Sequence, residues 1–328
     1  MPYDYSVPVR LIPVEIPKPW GRERWYTGME ARGESQVHLP GGLEIPLSLY
    51  LNANPHAASG GEDVLLLKIL DPDPEPVLGD LYFEVHEEKR EVYVVTHVDA
   101  SAWPEGIGGI RFGMAQSVRA QYPSDADFRA AYLTAVKDYE VVRRAIDDGF
   151  EDEVLTASER ELRAAMERFT HLRPLRVGDV VHVPAWLPHS LLHGVRVVEF
   201  QTPTYERLIV SFAQRVLTQH HWDTENAVAH MALGAGEEQP GEAVAPGIDR
   251  IARFDHFNVW RATPQAGRVS LPTTLPYAVV MPTGNRARVG KLILAPEEAA
   301  FIPHAALPDC TLVADAEDAF LLIAAPTL

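Results

Sequence analysis

Short apolar runs, separated by glycine, proline and charged residues, recur along the chain and predict a mainly β protein. The segment 64–70 is apolar at every position except Lys68, as expected of a strand that is buried on both faces. A second run, 91–98, is rich in valine and also favours a strand. Residues 1–25 contain five prolines and should be extended rather than helical.

The hydrophobic period changes after Ser124, where apolar residues recur every three or four positions up to Gly149. Ser124 begins a capping-box pattern and Gly149 is a typical helix terminator, so we predict a helix of about 23 residues here. A second helix is predicted to begin at Ser158, which starts another capping-box pattern. We expect the two helices to form a structural insertion, residues 123–170, between strands.

Composition limits the function classes. With 328 residues and 46% hydrophobic content, the chain is long enough for two domains, or for one domain with a subdomain. Its formal charge of −17 repels phosphate backbones and anionic lipid headgroups, so we expect neither nucleic acid nor a membrane as a partner. A small anionic substrate stays open, because local cations and a metal ion can dominate the field inside a pocket.

The single cysteine, Cys310, excludes an internal disulfide framework and a thiolate metal cluster, and it suits a reducing compartment. No secretion signal and no apolar run of about 20 residues is found, so we expect a cytoplasmic protein. The sequence does not distinguish a monomer from a homodimer.

Two separate segments carry candidate metal ligands. Glu84 and His86 are two residues apart, and this spacing places both side chains on one face of a strand. Glu91 follows after four residues, which leaves room for a tight turn, so we predict a hairpin that gathers three ligands. His189 ends a glycine- and proline-marked segment that begins at Gly178, and we expect its strand to lie beside the hairpin.

An E-x-H pattern is by itself weak, since charged residues alternate on any solvated strand. The two segments together predict a site for a divalent cation, because carboxylate and imidazole groups are ligands of both Zn²⁺ and Mn²⁺. The same spacing of ligands resembles the cupin superfamily, in which the position of Glu84 is a histidine.

Several short motifs resemble the type I phosphomannose isomerases. These are a Trp20-Gly21 pair near the N-terminus, a leucine-rich strand with the internal Lys68, the helical insertion before the last metal histidine, and an E-x-Q motif at Glu199 that is followed by Thr-Tyr and arginine. This chain departs from the family at Glu84, where the isomerases have glutamine. It also has one extra residue, Glu206, before Arg207.

The resemblance implies a fold of two cupin-type β-barrels, a bicupin with an α-helical insertion. The expected N-terminal metal-binding barrel comprises 1–122 and 171–218, and the insertion 123–170 lies within it. A linker, 219–246, should lead to a degenerate second barrel, 247–328.

The resemblance further implies an isomerase that interconverts mannose 6-phosphate and fructose 6-phosphate through an enediol. The implied metal ligands are the four side chains already named: Glu84, His86, Glu91 and His189. Zinc is the first choice of metal, and the extra charge of Glu84 favours manganese or iron as alternatives.

The resemblance also implies roles for residues around the metal. Glu199 is nominated for proton transfer, and Lys89 and Arg207 for stabilising oxyanions or the phosphate. Lys68 and Trp20 are candidate substrate-binding residues.

Simpler interpretations stay open at this point. Trp20 is equally an apolar anchor, Lys68 either extends to an edge or pairs with an anion, and Glu199 and Arg207 are equally a structural salt bridge. Two other functions also remain. One is a different cupin enzyme, such as an isomerase of an unphosphorylated sugar or an oxygenase, and the other is a non-catalytic sugar-binding or regulatory cupin.

Overall fold

The computed structural model describes residues 3–30, 33–53, 64–150, 152–217, 219–314, 316 and 318–327. The helices are α1 (Leu47–Asn52), α2 (Gln116–Arg119), α3 (Asp125–Asp147), α4 (Glu153–Glu167) and α5 (Thr224–His230), and two 3₁₀ turns cover Pro264–Ala266 and His304–Asp309. The first strands are β1 (Val9–Ile12), β2 (Val14–Lys18), β3 (Gly21–Trp25), β4 (Met29–Glu30), β5 (Gly33–Glu34), β6 (Gln36–His38), β7 (Glu44–Pro46), β8 (Leu66–Pro72), β9 (Phe83–Val85), β10 (Glu91–Val98) and β11 (Gly108–Met114).

The strands after the helical insertion are β12 (Thr170–Leu175), β13 (Val180–Val183), β14 (His189–Leu191), β15 (Val195–Gln201), β16 (Leu208–Ser211), β17 (Glu242–Ala245), β18 (Ile248–Arg253), β19 (Phe257–Ala262), β20 (Arg268–Ser270), β21 (Tyr277–Thr283), β22 (Ala287–Val289), β23 (Leu292–Leu294), β24 (Ala299–Pro303), β25 (Thr311–Ala314) and β26 (Phe320–Pro326).

In the described ranges the four larger antiparallel sheets and three helices are stacked as layers, and β4 and β5 form a separate two-stranded sheet. The five-stranded sheet has the order β12-β11-β14-β9-β16, and the six-stranded sheet β13-β10-β15-β8-β3-β2. A nine-stranded sheet has the order β17-β18-β19-β26-β21-β24-β1-β6-β7, and a four-stranded sheet β20-β25-β22-β23. The mainly β prediction is confirmed. Within the described ranges none of these sheets closes on itself, and the predicted cupin-type barrels take the form of open sandwiches.

Each layer shares an apolar core with the next. Helices α3, α4 and α5 pack on the outer face of the five-stranded sheet, and the five- and six-stranded sheets enclose a second core. The other face of the six-stranded sheet packs on the nine-stranded sheet, which in turn packs on the four-stranded sheet. The first sandwich, formed by the five- and six-stranded sheets, contains the four candidate metal ligands.

Side-chain alternation explains how charged residues enter that first sandwich. On β8, Leu67 and Ile69 face the nine-stranded sheet, so Lys68 points the opposite way, into the sandwich. On β10 and β15 the same alternation directs Glu91 and Glu199 inward. An apparently continuous apolar run can therefore carry a charged residue on its inner face.

The predicted hairpin between Glu84 and Glu91 is wrong. Strand β9 pairs with β14 and β16, whereas β10 pairs with β13 and β15, so the two strands belong to different sheets. The connection 86–90 therefore crosses from one sheet of the sandwich to the other. This crossing brings Glu91 toward the other ligands from the opposite layer.

The first predicted helix is confirmed as α3, which has 23 residues and Ser124 as its N-cap. The Ser124 hydroxyl accepts a hydrogen bond from the backbone N–H of Asp127 at 3.2 Å. The second predicted start, Ser158, is wrong. Helix α4 begins earlier, because Asp152 caps it by accepting from the backbone N–H of Leu155 at 2.7 Å.

Both long helices lie between β11 and β12, which are neighbouring strands of the five-stranded sheet. The insertion is thus a connection that leaves and re-enters one sheet. The predicted linker contains α5, whose Ala227 and Val228 are buried against the helical layer. The N-terminal strand β1 pairs with β24, so the nine-stranded sheet draws strands from both ends of the chain. None of the helices in the described ranges is long and apolar enough to cross a membrane.

Candidate metal centre and substrate pocket

Three candidate ligands come from the five-stranded sheet. Glu84 on β9 lies directly opposite His189 on β14 in the antiparallel register, and His86 follows β9 on the same face as Glu84. One ligand atom from each of these three residues lies within 4.8 Å of the others. The two-residue spacing and the strand pairing together produce this cluster.

Glu91 joins the cluster from the six-stranded sheet. Its Oε2 atom lies 3.3 Å from Nε2 of His86 and 3.4 Å from Nε2 of His189. The Nε2 atom of His86 is also 3.8 Å from Oε1 of Glu84. Glu91 therefore lies beside both histidines, although the three residues whose donor atoms all lie within 4.8 Å of one another are Glu84, His86 and His189.

The protonation of the two histidines suits the binding of a cation between them. Nδ1 of His189 donates to the backbone carbonyl of Leu187 at 3.0 Å, which leaves Nε2 with its lone pair free to bind a metal. Burial and the charge of Lys89 lower the pKa of His86, which favours the neutral, metal-binding imidazole. Neither Nε2 atom makes a well-directed hydrogen bond to any residue in the described ranges. Two imidazoles and two carboxylates are a typical donor set for Zn²⁺ or Mn²⁺, so these residues fit a divalent cation.

The backbone of His86 is also held in place. Its carbonyl accepts a hydrogen bond at 2.7 Å from the backbone N–H of Trp186, which has a φ angle of 59°. A left-handed conformation is costly for a bulky residue and is kept only where the surroundings require it. Here Trp186 lies in the corner that leads to His189, so the corner fixes both histidine-bearing segments.

A lysine and a tyrosine surround Glu91. Nζ of Lys89 lies 2.5 Å from Oε1 of Glu91, and the Tyr93 hydroxyl donates to Oε2 at 3.0 Å. Burial would raise the pKa of Glu91, but the charge of Lys89, with the His86 imidazole beside it, holds the pKa well below its ordinary value. Glu91 is therefore ionised, as a metal ligand must be. Tyr93 was not identified from the sequence, although it shares the inward face of β10.

Glu199 and Lys68 form a buried pair on neighbouring strands. They are directly opposite each other on β15 and β8, and Nζ of Lys68 lies 2.9 Å from Oε2 of Glu199. Burial, with the nearby charge of Glu91, raises the pKa of Glu199 well above its ordinary value, although Lys68 opposes this. Of the two open interpretations of Lys68, the structure shows pairing with an anion. The predicted alternative of a Glu199–Arg207 salt bridge is not formed, because Glu199 contacts Lys68 instead.

Arg207 reaches the site despite the extra residue before it. Its Nε lies 3.7 Å from Oε2 of Glu84, and its guanidinium lies 4.3 Å from the centre of the Tyr82 ring. Trp20 is buried and lines the same pocket. Its ring belongs to the apolar core of the first sandwich, and its buried indole N–H finds no acceptor in the described part of the chain.

Sequence reasoning missed a second buried ion pair in this pocket. Nζ of Lys18 lies 3.0 Å from Oε1 of Glu23, and the indole N–H of Trp25 donates to Oε2 at 2.6 Å. Burial would raise the pKa of Glu23, but the charges of Lys68 and Lys18 lower it to about 2. The available signal was alternation on β3, which places Glu23 and Trp25 on one face.

Three other histidines, His182, His221 and His304, lie outside this cluster. His182 hydrogen-bonds to the carbonyl of Ile251 in the nine-stranded sheet, and Nδ1 of His304 contacts the carbonyl of Leu275 at 2.7 Å. His221 is exposed beside Asp223. These residues bind neighbouring structure and do not extend the candidate metal centre.

The fold matches solved structures of mannose 6-phosphate isomerases along almost the whole chain. The enzyme from Bacillus subtilis superposes with a TM-score of 0.70 at 15% identity, covering 97% of this chain and 99% of that chain. A mutant of phosphomannose isomerase from Salmonella typhimurium has a TM-score of 0.72 at 14% identity, covering 98% and 100%. A zinc-bound mannose 6-phosphate isomerase has a TM-score of 0.71 at 13% identity, with coverage of 98% and 100%.

A scan against protein-family models finds no match, and a search of curated proteins finds none. The resemblance inferred from the short motifs is thus confirmed at the level of the fold. The chain has the fold of the mannose 6-phosphate isomerases, although few of its residues are shared with them.

Proposed function

We propose that the protein is a metal-dependent aldose–ketose isomerase that interconverts mannose 6-phosphate and fructose 6-phosphate. The observation that carries this proposal is the convergence of Glu84, His86, Glu91 and His189 beside the buried Glu199–Lys68 pair. The shared fold with mannose 6-phosphate isomerases supports the same reaction class.

Zinc is the metal we propose for the site, and a zinc-bound structure among the similar folds supports this choice. When bound, a divalent cation supplies Lewis-acid chemistry that stabilises negative charge on a carbonyl oxygen. The carboxylate of Glu84 adds a negative charge to the ligand set, which weakens that effect and makes manganese or iron the alternatives.

Glu199 is the proposed acid–base residue. The reaction moves a proton between two adjacent carbons of the sugar, so one side chain can remove the proton and return it. A carboxyl group whose pKa is raised above its ordinary value is better matched to both steps than an unperturbed one. Lys68 holds Glu199 at a fixed position on the neighbouring strand, 2.9 Å away.

Lys89 and Arg207 are the proposed groups that stabilise oxyanions or the phosphate. Both are half-buried or buried at the edge of the pocket, where a fixed positive charge acts more strongly than in water. Trp20 and Lys68 also line the pocket and are the proposed substrate-binding residues, in addition to the role of Lys68 toward Glu199.

The charge balance of the pocket favours a second candidate, an isomerase of an unphosphorylated sugar. In the described part of the pocket, each cationic side chain has a carboxylate partner: Lys18 with Glu23 at 3.0 Å, Lys68 with Glu199 at 2.9 Å, Lys89 with Glu91 at 2.5 Å, and Arg207 with Glu84 at 3.7 Å. A pocket of this kind offers little surplus positive charge to a phosphate group. If Glu84 and Glu91 bound a metal ion, their negative charge would no longer be spent on Arg207 and Lys89. These two cations would then be available to a phosphate group, and this favours the phosphorylated substrate.

One assay, run separately with each of the two sugars, distinguishes the two candidates. Zinc-loaded protein is incubated with mannose 6-phosphate or with mannose, and the ketose formed is measured with and without a chelator. The proposal expects fructose 6-phosphate, with loss of turnover in chelator and recovery on adding Zn²⁺. Turnover of mannose alone would support the second candidate. Zinc binding without turnover of either sugar would contradict both and leave a non-catalytic cupin.

The organisation of the chain supports two cupin domains as part of the same proposal. The first would comprise 1–122 and 171–218, interrupted by the insertion 123–170. Its core would be the sandwich that holds the metal centre, while its strands β1, β6 and β7 join the nine-stranded sheet. The second would be the sandwich of the nine- and four-stranded sheets, mainly 247–328, after the segment 219–246. We propose a small sugar phosphate as the partner and the cytoplasm as the location.

A further inference from the structure

The connection 87–90 joins two metal ligands that belong to different sheets. It follows His86 of the five-stranded side and precedes Glu91 of the six-stranded sheet. Any shift of this short segment therefore changes the distance between two donor groups. Its backbone amides point away from both strand ladders, so their hydrogen-bond partners determine where the segment lies.

The carboxylate of Glu206 accepts hydrogen bonds from three successive backbone N–H groups of the connection, those of residues 87–89. The N–H of Glu87 donates to Oε1 of Glu206 at 2.6 Å. The N–H groups of Glu88 and Lys89 donate to Oε2 at 2.8 Å and 3.0 Å. Successive amides arranged in this way form a concave anion-binding site, and here a side chain from the same protein fills it.

The carbonyl groups of the connection are held from the other side. Nη1 of Arg90 donates to the carbonyls of Glu87, Glu88 and Lys89 at 3.1 Å, 2.7 Å and 3.3 Å. The N–H of Arg90 donates to the Thr202 hydroxyl at 3.2 Å. Arg90 is part of the segment itself, whereas Glu206 and Thr202 both belong to the distant β15–β16 connection. Thr202 fixes the segment at Arg90, and Glu206 ties its 87–89 part to the rest of the fold.

We propose that Glu206 is a positioning residue for the metal centre: it holds the 87–89 backbone so that His86 and Glu91 stand at metal-binding distance, without being a ligand itself. Glu206 is the extra residue that separates Tyr205 from Arg207. The inference rests on metal binding as given under the proposed function. It explains why an insertion next to Arg207 is compatible with an intact ligand cluster.

The test measures the dissociation constant for Zn²⁺ by competition with a chromophoric chelator. The variants are Glu206→Ala and Glu206→Gln, and the control is Glu88→Ala, which removes an exposed carboxylate from the same connection and leaves the backbone donors in place. Unfolding of each metal-free protein by urea is recorded in parallel. Substitutions of groups that orient metal ligands weaken affinity by about 10- to 100-fold, and we expect a loss of that size for Glu206→Ala.

The variants Glu206→Gln and Glu88→Ala test whether the lost affinity comes from the lost acceptor oxygens. Glu206→Gln keeps one acceptor oxygen and should bind Zn²⁺ with intermediate affinity, while Glu88→Ala should match the wild type. Added acetate should restore part of the zinc affinity of Glu206→Ala, because the vacated N–H groups can donate to a small carboxylate. It should leave the zinc affinity of the wild type unchanged. This rescue separates positioning from a general loss of stability.

Equal zinc affinity of the wild type and both Glu206 variants would overturn the inference while leaving the proposed function intact. An affinity loss that acetate does not reverse, and that Glu88→Ala shares, would also overturn it. A wild-type protein that binds no Zn²⁺ would overturn the proposed function and this inference together.

Discussion

Replacing Glu23 by glutamine removes a buried charge from the pocket without changing the shape of the side chain. In the wild type, Glu23 is held by Lys18 at 3.0 Å and by the indole N–H of Trp25 at 2.6 Å. Glutamine imitates the protonated, neutral side chain. The variant should therefore lose the stability that the protein gains by ionising Glu23 in the folded state.

The size of that contribution follows from the pKa of Glu23, about 2 in the folded protein against an ordinary value of 4.5. At about 1.4 kcal/mol per pKa unit, the difference corresponds to about 3 kcal/mol of unfolding free energy at neutral pH. Because the folded pKa is lowered, this stabilisation is present above pH 4.5 and is lost as the pH falls toward 2. At roughly pH 3.5 about 2 kcal/mol should remain.

The assay is urea unfolding of the metal-free proteins, followed by tryptophan fluorescence between pH 3.5 and pH 8. The matched control is Glu15→Gln, because Glu15 is exposed on the neighbouring strand β2. The control should change the unfolding free energy by less than about 0.5 kcal/mol. A Glu23→Gln protein as stable as the control, or a difference that does not shrink in acid, would refute the paired arrangement of Glu23 and the lysines.

Three further predictions concern the metal centre and the fold. His86→Ala should lose stoichiometric zinc by elemental analysis while the exposed His221→Ala retains it; equal zinc content would contradict the ligand assignment. Glu199→Gln should keep its zinc but lower kcat by about 10²- to 10⁴-fold, and turnover within a few-fold of the wild type would exclude Glu199 as the base. Ser124→Ala should cost about 1 kcal/mol in urea unfolding through loss of the α3 cap, whereas the exposed Ser117→Ala should not.

Local patterns in the sequence were sufficient for several features. The two-residue spacing of Glu84 and His86 requires one face of a strand, and that face is where the structure places them. The cap at Ser124 and the apolar period after it define α3 with no help from distant residues. These features are predictable because the interactions that decide them lie within a few residues along the chain.

Other features depend on contacts that sequence spacing does not encode. Four residues between His86 and Glu91 suit a hairpin as well as a crossing between sheets. The crossing is formed because β9 pairs with β14 and not with β10. Asp152 and Ser158 are both acceptable helix caps, and the hydrogen bond that Asp152 accepts from the backbone N–H of Leu155 starts α4 at the earlier residue. Glu23 looks like any polar residue on an alternating strand until its neighbours Lys18 and Lys68 are known to share the sandwich interior.

The most direct test of the central claim is a crystal structure of zinc-loaded protein with anomalous data at the zinc absorption edge. The account predicts one strong peak between the five- and six-stranded sheets. It should lie about 2.0–2.2 Å from the Nε2 atoms of His86 and His189 and from carboxylate oxygens of Glu84 and Glu91. A peak that lies elsewhere, or one that lacks Glu91 as a ligand, would contradict the claim that the two sheets build one metal centre.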